Sequence, residues 1–140
     1  MYIQKLLSER LSKNKPVKVA LIGAGKFGSM FLSQVPTTPG INVVAIADLF
    51  PDKAKNACKA VGWNDELISS TKFFESGKEV IELSEIEVVI EATGLPSAGI
   101  EHARHSFKHG KHIIMVNVEA DVLAGGLLTQ EAKSAGVVYS

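Results

Sequence analysis

Short β-branched segments alternate with longer helical segments along most of this chain, and that alternation restricts the fold more than any other feature. The predicted strands are apolar enough to be covered on both faces. They comprise Val17–Ile22, Asn42–Ala47, Thr71–Phe74, Glu87–Ala92, His112–Val116 and, at the end of the chain, Val137–Tyr139. Strands that alternate with helices form parallel sheets through right-handed crossovers. We therefore predict an α/β fold: a doubly wound, mostly parallel sheet of about six strands with helices on both faces.

The intervening segments are predicted to be helices from their start and stop residues. Pro51 suits the first turn of a helix, and glycines at 62, 110 and 136 suit helix C-termini. The predicted helices are Ser29–Val35, Pro51–Ala60, Lys78–Leu83, Ser97–His109 and Leu123–Ala135. The polar stretch 62–71 carries no clear pattern and receives no assignment.

The N-terminal segment 1–12 predicts an amphipathic helix. Its apolar side chains, Tyr2, Ile3, Leu6, Leu7 and Leu11, fall roughly on one side. We expect that side to pack on this domain or on another one, and membrane attachment is the less favoured alternative. The predicted organisation is an N-terminal amphipathic helix over residues 1–15 and one domain over residues 16–140.

Charge and cysteine content restrict the partners and the compartment. Fifteen basic and fifteen acidic residues balance to a formal net charge of zero, which disfavours a nucleic-acid or anionic-membrane partner. A single cysteine, Cys58, forms no internal disulfide and fits a reducing compartment, so we expect a cytoplasmic protein. Because Cys58 falls inside a predicted helix between alanines, we do not expect it to be a nucleophile.

The segment Gly23-Ala-Gly-Lys-Phe-Gly28 directly follows the first strand and opens a helix. In that context the glycines have separate purposes. Gly23 allows the tight turn, Gly25 lets the backbone approach a pyrophosphate, and Gly28 lets the helix lie close to the sheet. The amides of Lys26 and Phe27, at the helix N-terminus, would contribute to phosphate binding. The motif predicts a Rossmann-type site for a dinucleotide; the alternative is a tight turn without a ligand.

Asp48 ends the second strand about twenty residues after the glycine turn. An acid in that place accepts hydrogen bonds from the adenosine ribose and repels a 2′-phosphate, so we expect NAD to be favoured over NADP. The residues that follow are Leu49 and Phe50 rather than an arginine, although Lys53 and Lys55 come a turn later. The alternative role for Asp48 is capping of the next helix, and the two roles are compatible.

Polar and small residues follow the fourth and fifth predicted strands, whose carboxyl ends border the ligand crevice of a doubly wound sheet. Thr93 and Gly94 let the chain pass close to the nicotinamide half of a dinucleotide. Asn117 has two interpretations of equal weight, a hydrogen bond to the nicotinamide ribose or carboxamide and turn formation.

Four histidines, His102, His105, His109 and His112, form a conspicuous group. The first three lie roughly on one face of a predicted helix, but zinc needs converging ligands and nothing in the spacing brings Cys58 near them. We therefore predict ordinary histidines on a polar face and no metal site. Glu119 and Asp121 diverge on a helix and are expected to be acids in its first turn.

Three blocks of the sequence together resemble the NAD(P)-binding domain of homoserine dehydrogenase-like oxidoreductases. They are Ala20-Leu-Ile-Gly-Ala-Gly-Lys-Phe-Gly-Ser-Met-Phe31, Glu91-Ala-Thr-Gly94 and Gly110-Lys-His-Ile-Ile-Met-Val-Asn-Val-Glu-Ala-Asp-Val-Leu-Ala-Gly-Gly126. The closer likeness is to the branch whose members carry a C-terminal SAF domain. The resemblance covers nearly the whole chain and is loose from Val61 to Thr71.

The resemblance implies a cofactor domain followed by a substrate and dimerisation domain, hence a homo-oligomer. Homoserine dehydrogenases carry a lysine after the asparagine of the fifth-strand motif, where this chain has Val118, which puts homoserine as substrate in doubt. The implied catalytic residues would lie beyond Ser140, so we expect this chain to be the cofactor domain without its catalytic domain. The alternatives are a non-catalytic NAD/NADH-sensing regulatory module and an inactive truncated product.

Overall fold

A computed structural model describes residues 2–140 of the chain. Five parallel strands form one sheet in the order β3-β2-β1-β4-β5. They are β1 (Val17–Ile22), β2 (Ile41–Ala47), β3 (Lys72–Phe74), β4 (Val88–Glu91) and β5 (His112–Met115). The predicted α/β architecture with a doubly wound sheet is confirmed.

Seven α-helices connect and flank these strands. They are α1 (Tyr2–Ser12), α2 (Lys26–Gln34), α3 (Pro51–Ala60), α4 (Asp65–Ser69), α5 (Gly77–Glu82), α6 (Pro96–Lys108) and α7 (Val118–Ala135), and a short 3₁₀ turn, Val35–Thr37, follows α2. Pro51 and Pro96 occupy first helical positions, and Gly136 ends α7 in the left-handed conformation at φ 72°. Pro51 and Gly136 therefore act as predicted, whereas α6 begins one residue before its predicted start at Ser97.

Both faces of the sheet are covered, as the apolar strands require. Along β1, Val19 and Leu21 pack with side chains of α2 and α3, whereas Ala20 and Ile22 pack with α5, α6 and α7 on the opposite face. This alternation follows from the two-residue period of a strand and places one apolar cluster on each side.

The end of the chain differs in detail from the predicted sixth strand. Tyr139 makes one parallel bridge with Ile113, and the backbone of Ser140 exchanges hydrogen bonds with β5, from its N–H to the Ile113 oxygen at 3.0 Å and from the Met115 N–H to its own oxygen at 2.7 Å. The segment lies in the sixth position beside β5, but it is a bridge rather than a regular strand.

The unassigned stretch and the start of α7 also differ from the prediction. Helix α2 begins three residues earlier than predicted, at Lys26, and most other bounds shift by one residue. The unassigned stretch contains α4, whose N-cap Asn64 accepts a hydrogen bond from Leu67 N at 2.8 Å, and Trp63, whose indole N–H donates to the Leu32 oxygen at 2.8 Å. Helix α7 begins at Val118 rather than near Leu123. Glu119 and Asp121 are consequently first-turn acids, as predicted.

Helix α1 contacts the domain through Leu7, which lies against Gly40, while the other apolar side chains of the helix are exposed. None of its residues is buried, and Tyr2 and Ile3 are 75% and 70% exposed. Its firmest attachment is polar, because Arg10 donates to both carboxylate oxygens of Glu87 at 2.9 and 2.8 Å. The structure therefore does not bury the apolar side of α1 against this domain. Within residues 2–140, no helix has both the length and the apolar character needed to cross a bilayer.

Candidate functional site

A cleft of about 890 Å³ opens at the carboxyl ends of the strands, where the connections from β1 and β4 leave the sheet on opposite sides. In doubly wound sheets this switch point is the usual ligand site. Four of the predicted residues line it: Gly23, Gly25, Asp48 and Thr93. The sequence motifs and this cleft therefore coincide.

The turn between β1 and α2 uses each glycine for a different reason. Gly23 has φ +95°, and a Cβ on it would lie 2.7 Å from the Ala92 oxygen. A Cβ on Gly28 would collide with the Gly23 carbonyl. Gly25 differs from both, because a Cβ there would meet no atom within 4 Å. Gly23 and Gly28 are thus required by the protein's own packing, whereas the space beside Gly25 is open.

The N-terminus of α2 has backbone amides without hydrogen-bond acceptors in the part of the chain that the structure describes. The helix has no side-chain cap at Gly25, and its first backbone bond runs from Ser29 N to the Gly25 oxygen at 2.8 Å. The amides of Lys26, Phe27 and Gly28 therefore have no acceptor among residues 2–140, as expected for the first turn of a helix. Such amides, with the positive end of the helix dipole, favour an anion.

Asp48 links the second strand to this turn. Its Oδ2 accepts from the Ala24 N–H at 3.0 Å and its Oδ1 from the Phe50 N–H at 2.9 Å. Each oxygen retains a further lone pair, and Asp48 lines the cleft. The N-cap of α3 is Phe50, without a side-chain cap, so Asp48 orders the turn before the helix rather than capping it.

Asn117 makes the contacts expected for turn formation, which was one of its two predicted roles. Its side chain is buried, and its Oδ1 accepts from Ala120 N at 3.2 Å as the N-cap of α7. Its Nδ2 donates to the Leu95 oxygen at 2.7 Å, so it also anchors the 93–95 loop. Gly94, in that loop at φ +74°, and Asn117 do not line the cleft, and neither do Lys26, Phe27 and Gly28.

Sequence reasoning missed an acid–imidazole pair behind the cleft. Glu91, at the end of β4, is fully buried, and its Oε1 lies 3.3 Å from Nδ1 of His102, which lines the cleft. Its Oε2 has no hydrogen-bond partner among the described residues. Burial raises the pKa of Glu91, but hydrogen bonds from His102 and Thr93 outweigh it and hold the pKa below its ordinary value. A lone acid in an apolar strand was the available signal, because buried charges need partners.

His102 fits its place because Gly77 lacks a side chain. A Cβ on Gly77, the first residue of α5, would lie 2.5 Å from Nε2 of His102. Ser76 and Gly77, together with Leu49 and Phe50, form a wall of the cleft that the sequence motifs did not indicate. These residues follow β3 and β2, so the strand order brings them to the glycine turn.

Cys58 does not line the cleft. It is fully buried in α3, and burial raises the pKa of its thiol to about 11. Both features disfavour a nucleophilic role.

Comparison with known families identifies the domain. The family model described as an oxidoreductase family with an NAD-binding Rossmann fold, Gfo/Idh/MocA, matches residues 17–116. The chain belongs to this family. The match extends from the first residue of β1 to the residue after β5, and it therefore includes the glycine turn, Asp48 and the 93–95 loop. A search of curated proteins returned no significant match.

Solved structures of oxidoreductases share the fold of this Gfo/Idh/MocA domain. A homoserine dehydrogenase from Thiobacillus denitrificans superposes with a TM-score of 0.75 at 23% identity, over 90% of this chain and 29% of that one. A homoserine dehydrogenase from S. aureus gives 0.70 at 20% identity, over 90% and 32%. A scyllo-inositol dehydrogenase from Lactobacillus casei, solved with NAD(H) and scyllo-inositol, gives 0.71 at 16%, over 90% and 36%.

These similarities confirm the predicted Rossmann domain and the predicted structural likeness to homoserine dehydrogenases. This chain spans about a third of the length of those structures. At such identities the likeness establishes the fold, whereas the named substrates belong to those enzymes.

Proposed function

We propose that this chain is the cofactor domain of an oxidoreductase that prefers NAD(H) to NADP(H) and transfers hydride to or from a small alcohol or carbonyl compound. The observation that carries the proposal is that three features lie together at the turn between β1 and α2, which borders the cleft. These are the open side of Gly25, the unpaired amides that begin α2, and the carboxylate of Asp48, 3.0 Å from the Ala24 amide.

The glycine turn would hold the pyrophosphate. Backbone approaches a phosphate closely only where no Cβ intervenes, and the space beside Gly25 meets that condition. The amides of Lys26, Phe27 and Gly28 supply donors, and the N-terminus of α2 supplies partial positive charge. Gly23 and Gly28 support this arrangement from behind by keeping α2 against the sheet.

Asp48 would bind the adenosine ribose and set the preference for NAD. A carboxylate accepts hydrogen bonds from ribose hydroxyls and repels a 2′-phosphate. The adjoining Leu49 and Phe50 are 68% and 61% exposed and provide no cation. Lys53 places its ammonium 5.4 Å from the centre of the Phe50 ring, so one cation lies near this wall and moderates the preference.

The 93–95 loop would border the nicotinamide half of the cofactor. Asn117 holds this loop from behind through the Leu95 oxygen, so we assign it a positioning role. The nicotinamide ring of the cofactor would donate a hydride as NADH or accept one as NAD⁺. The residues of this chain bind and orient the cofactor and limit the access of water to one side of it.

The first test is a titration of the 140-residue chain with NADH and with NADPH, followed by nicotinamide fluorescence and calorimetry. Saturable binding that is tighter for NADH supports the proposal. A folded chain that binds neither would show that the glycine turn is structural only, and equal affinities would remove the proposed preference.

Variants of Asp48 test the assignment of selectivity. Asp48→Ala is expected to weaken NADH binding by about tenfold, which corresponds to about 1.4 kcal/mol, and to narrow the gap between NADH and NADPH. Asp48→Asn keeps one acceptor for the Ala24 or Phe50 amide and removes the charge, so it should retain the fold while gaining affinity for NADPH. An unchanged NADH/NADPH ratio in both variants would exclude Asp48 from the proposed role.

We propose that substrate binding and proton transfer depend on residues outside this chain, as the length of the structural relatives suggests. Oxidation of small alcohols by the isolated chain with NAD⁺ would contradict this.

We also propose a homo-oligomer in a reducing, cytoplasmic setting. The oligomer is supported by the exposed apolar side chains of Val122 and Leu123 on α7. The reducing compartment is supported by the single cysteine, Cys58, which is a buried free thiol. Light scattering at several concentrations tests the first, and localisation of a tagged protein tests the second.

A further inference from the structure

Three ligand-type side chains converge on the surface between α5 and α6, outside the residues that line the cleft. They are Glu82, the last residue of α5, and His105 and His109, one turn apart at the end of α6. One donor atom from each lies within 4.8 Å of the other two. The i, i+4 spacing places both imidazoles on one helix face, and the packing of α5 against α6 adds the carboxylate.

Hydrogen bonds already orient this cluster for a ligand. Nδ1 of His109 pairs with the His105 carbonyl oxygen at 2.9 Å and is therefore the donor, which leaves Nε2 with the lone pair. Metal-binding histidines commonly have their second nitrogen fixed by a carbonyl in this way. Nε2 of His105 lies 2.9 Å from Oε1 of Glu82, and the two rings are 4.4 Å apart between centroids.

Neighbouring cations do not occupy the cluster. Lys78 is paired with Glu101, and Arg104 binds Glu131 through two hydrogen bonds at 3.0 and 2.9 Å. Glu82 is 54% exposed in its side chain, so an aqueous ion can reach the cluster. Around a tetrahedral zinc ion the donor atoms lie about 3.3 Å apart. A rotation of the Glu82 side chain and small shifts of the rings would close the remaining gap.

We propose that Glu82, His105 and His109 form a Zn²⁺ site that links α5 to α6, with water at the remaining coordination position. Two imidazole nitrogens and one carboxylate oxygen are a donor set that zinc prefers and that magnesium does not. The ion takes the place of the proton now shared between Glu82 and His105 and joins two helices that flank the cofactor cleft.

The site is tested by calorimetric titration of the chelator-treated chain with ZnCl₂, with MgCl₂ as the ion that should not bind. Cobalt(II) provides a second readout, because tetrahedral coordination produces a visible absorption band. We expect one zinc ion per chain, and we expect His109→Ala and Glu82→Gln each to raise the dissociation constant at least tenfold. Circular dichroism establishes that each variant remains folded.

His112→Ala is the matched control, since His112 is an exposed histidine outside the cluster whose Nδ1 accepts from Val138 N at 3.0 Å. Its zinc affinity should equal that of the unmodified chain. Equal losses in His109→Ala and His112→Ala would show nonspecific binding to histidines and overturn the proposal. The absence of saturable zinc binding in the unmodified chain would also overturn it.

Discussion

Gly25 and Gly28 lie in one turn, but Gly25 borders open space whereas Gly28 packs against the Gly23 carbonyl. Alanine substitution at each position should therefore have different effects. Gly25 has a negative φ of −74° and open space where a Cβ would project. Alanine there should change the free energy of unfolding by less than about 1 kcal/mol, yet weaken NADH binding at least tenfold, because the methyl group enters the space proposed for the pyrophosphate. Chemical denaturation and NADH titration of Gly25→Ala measure both quantities.

Gly28→Ala is the comparison variant. Its methyl group would overlap the Gly23 carbonyl, which is backbone rather than the end of a flexible side chain. We expect a loss of about 1–3 kcal/mol in the free energy of unfolding, as for other overpacked sites. A stable Gly25→Ala variant with unaltered NADH affinity would contradict the phosphate assignment while leaving the account of Gly28 intact.

Glu91 predicts a specific dependence of stability on pH. Its pKa is lowered in the folded chain, so the unfolded chain takes up the proton more readily. The stabilisation that Glu91 provides is fully present above the ordinary carboxyl pKa of 4.5 and is lost as the pH falls through the folded-state pKa. The free energy of unfolding should therefore decrease more steeply below pH 4.5 in the unmodified chain than in Glu91→Gln.

Glu131→Gln supplies the control for that experiment. The pKa of Glu131 is also lowered, by its hydrogen bond from Arg104, but this pair is at the surface, where solvent screens it. Its removal should alter the acid limb of the pH profile less than removal of Glu91 does. Identical profiles for the unmodified chain and Glu91→Gln would contradict the pKa assignment.

At the scale of elements, the sequence predicted the bounds of those helices and strands that are determined by residues close to them in the chain. Strand β1 and helix α3 have the predicted bounds because an apolar run and a first-turn proline determine them within a few residues. The beginning of α7 was missed because the buried side chain of its first turn is the small Ala120 while Val118 and Val122 are exposed, so no apolar stripe of helical period marks it. Helix α4 has only five residues and is capped by Asn64, and a signal that short lies below what periodicity detects.

The candidate site divides in the same way. The positions of Gly23, Gly25 and Asp48 at the cleft were predictable because they depend on a local turn and on the end of a strand. His102, Ser76 and Gly77 were missed because they reach the cleft through the packing of α6 against α5 and through the strand order, both of which are long-range. The Glu82 cluster likewise joins residues more than twenty positions apart. The prediction of no metal site came from spacing along one helix, and spacing of that kind does not include Glu82, which comes from another helix.

Asn117 couples two elements, and its two functions can be measured separately. Asn117→Ala removes both the cap of α7 and the anchor of the 93–95 loop, and should cost about 1–3 kcal/mol in the free energy of unfolding. Asn117→Ser keeps an effective N-cap but does not reach the Leu95 oxygen. We expect the serine variant to recover stability relative to alanine while both variants show weakened NADH binding.

Full recovery of NADH affinity in Asn117→Ser would mean that the loop does not depend on its anchor. Loss of stability to the same extent in both variants would mean that the cap contributes little and that the loop contact dominates.

At the scale of the whole molecule, the sheet order determines both rigidity and the location of the cleft. β1 is central, with β2 and β4 on its two sides, and its last four residues are buried. The glycine turn therefore projects from the most constrained strand. The connections from β1 and β4 diverge to opposite faces, so the cleft is a consequence of the topology rather than of any single side chain.

Hydrogen exchange should show that the central strands are more protected than α1. Amides of β1, β2 and β4 should exchange only on global unfolding, whereas those of α1, which has no buried residue, should open with little cost. Added NADH should slow exchange in residues 23–29, 48–50 and 93–95 and leave α1 unchanged, because α1 lies outside the cleft. Protection of α1 equal to that of β1 would show that its apolar side is covered in solution. If that protection grew with protein concentration, a second copy of the chain would be the cover, and the exposed side of α1 would become part of the proposed homo-oligomer interface.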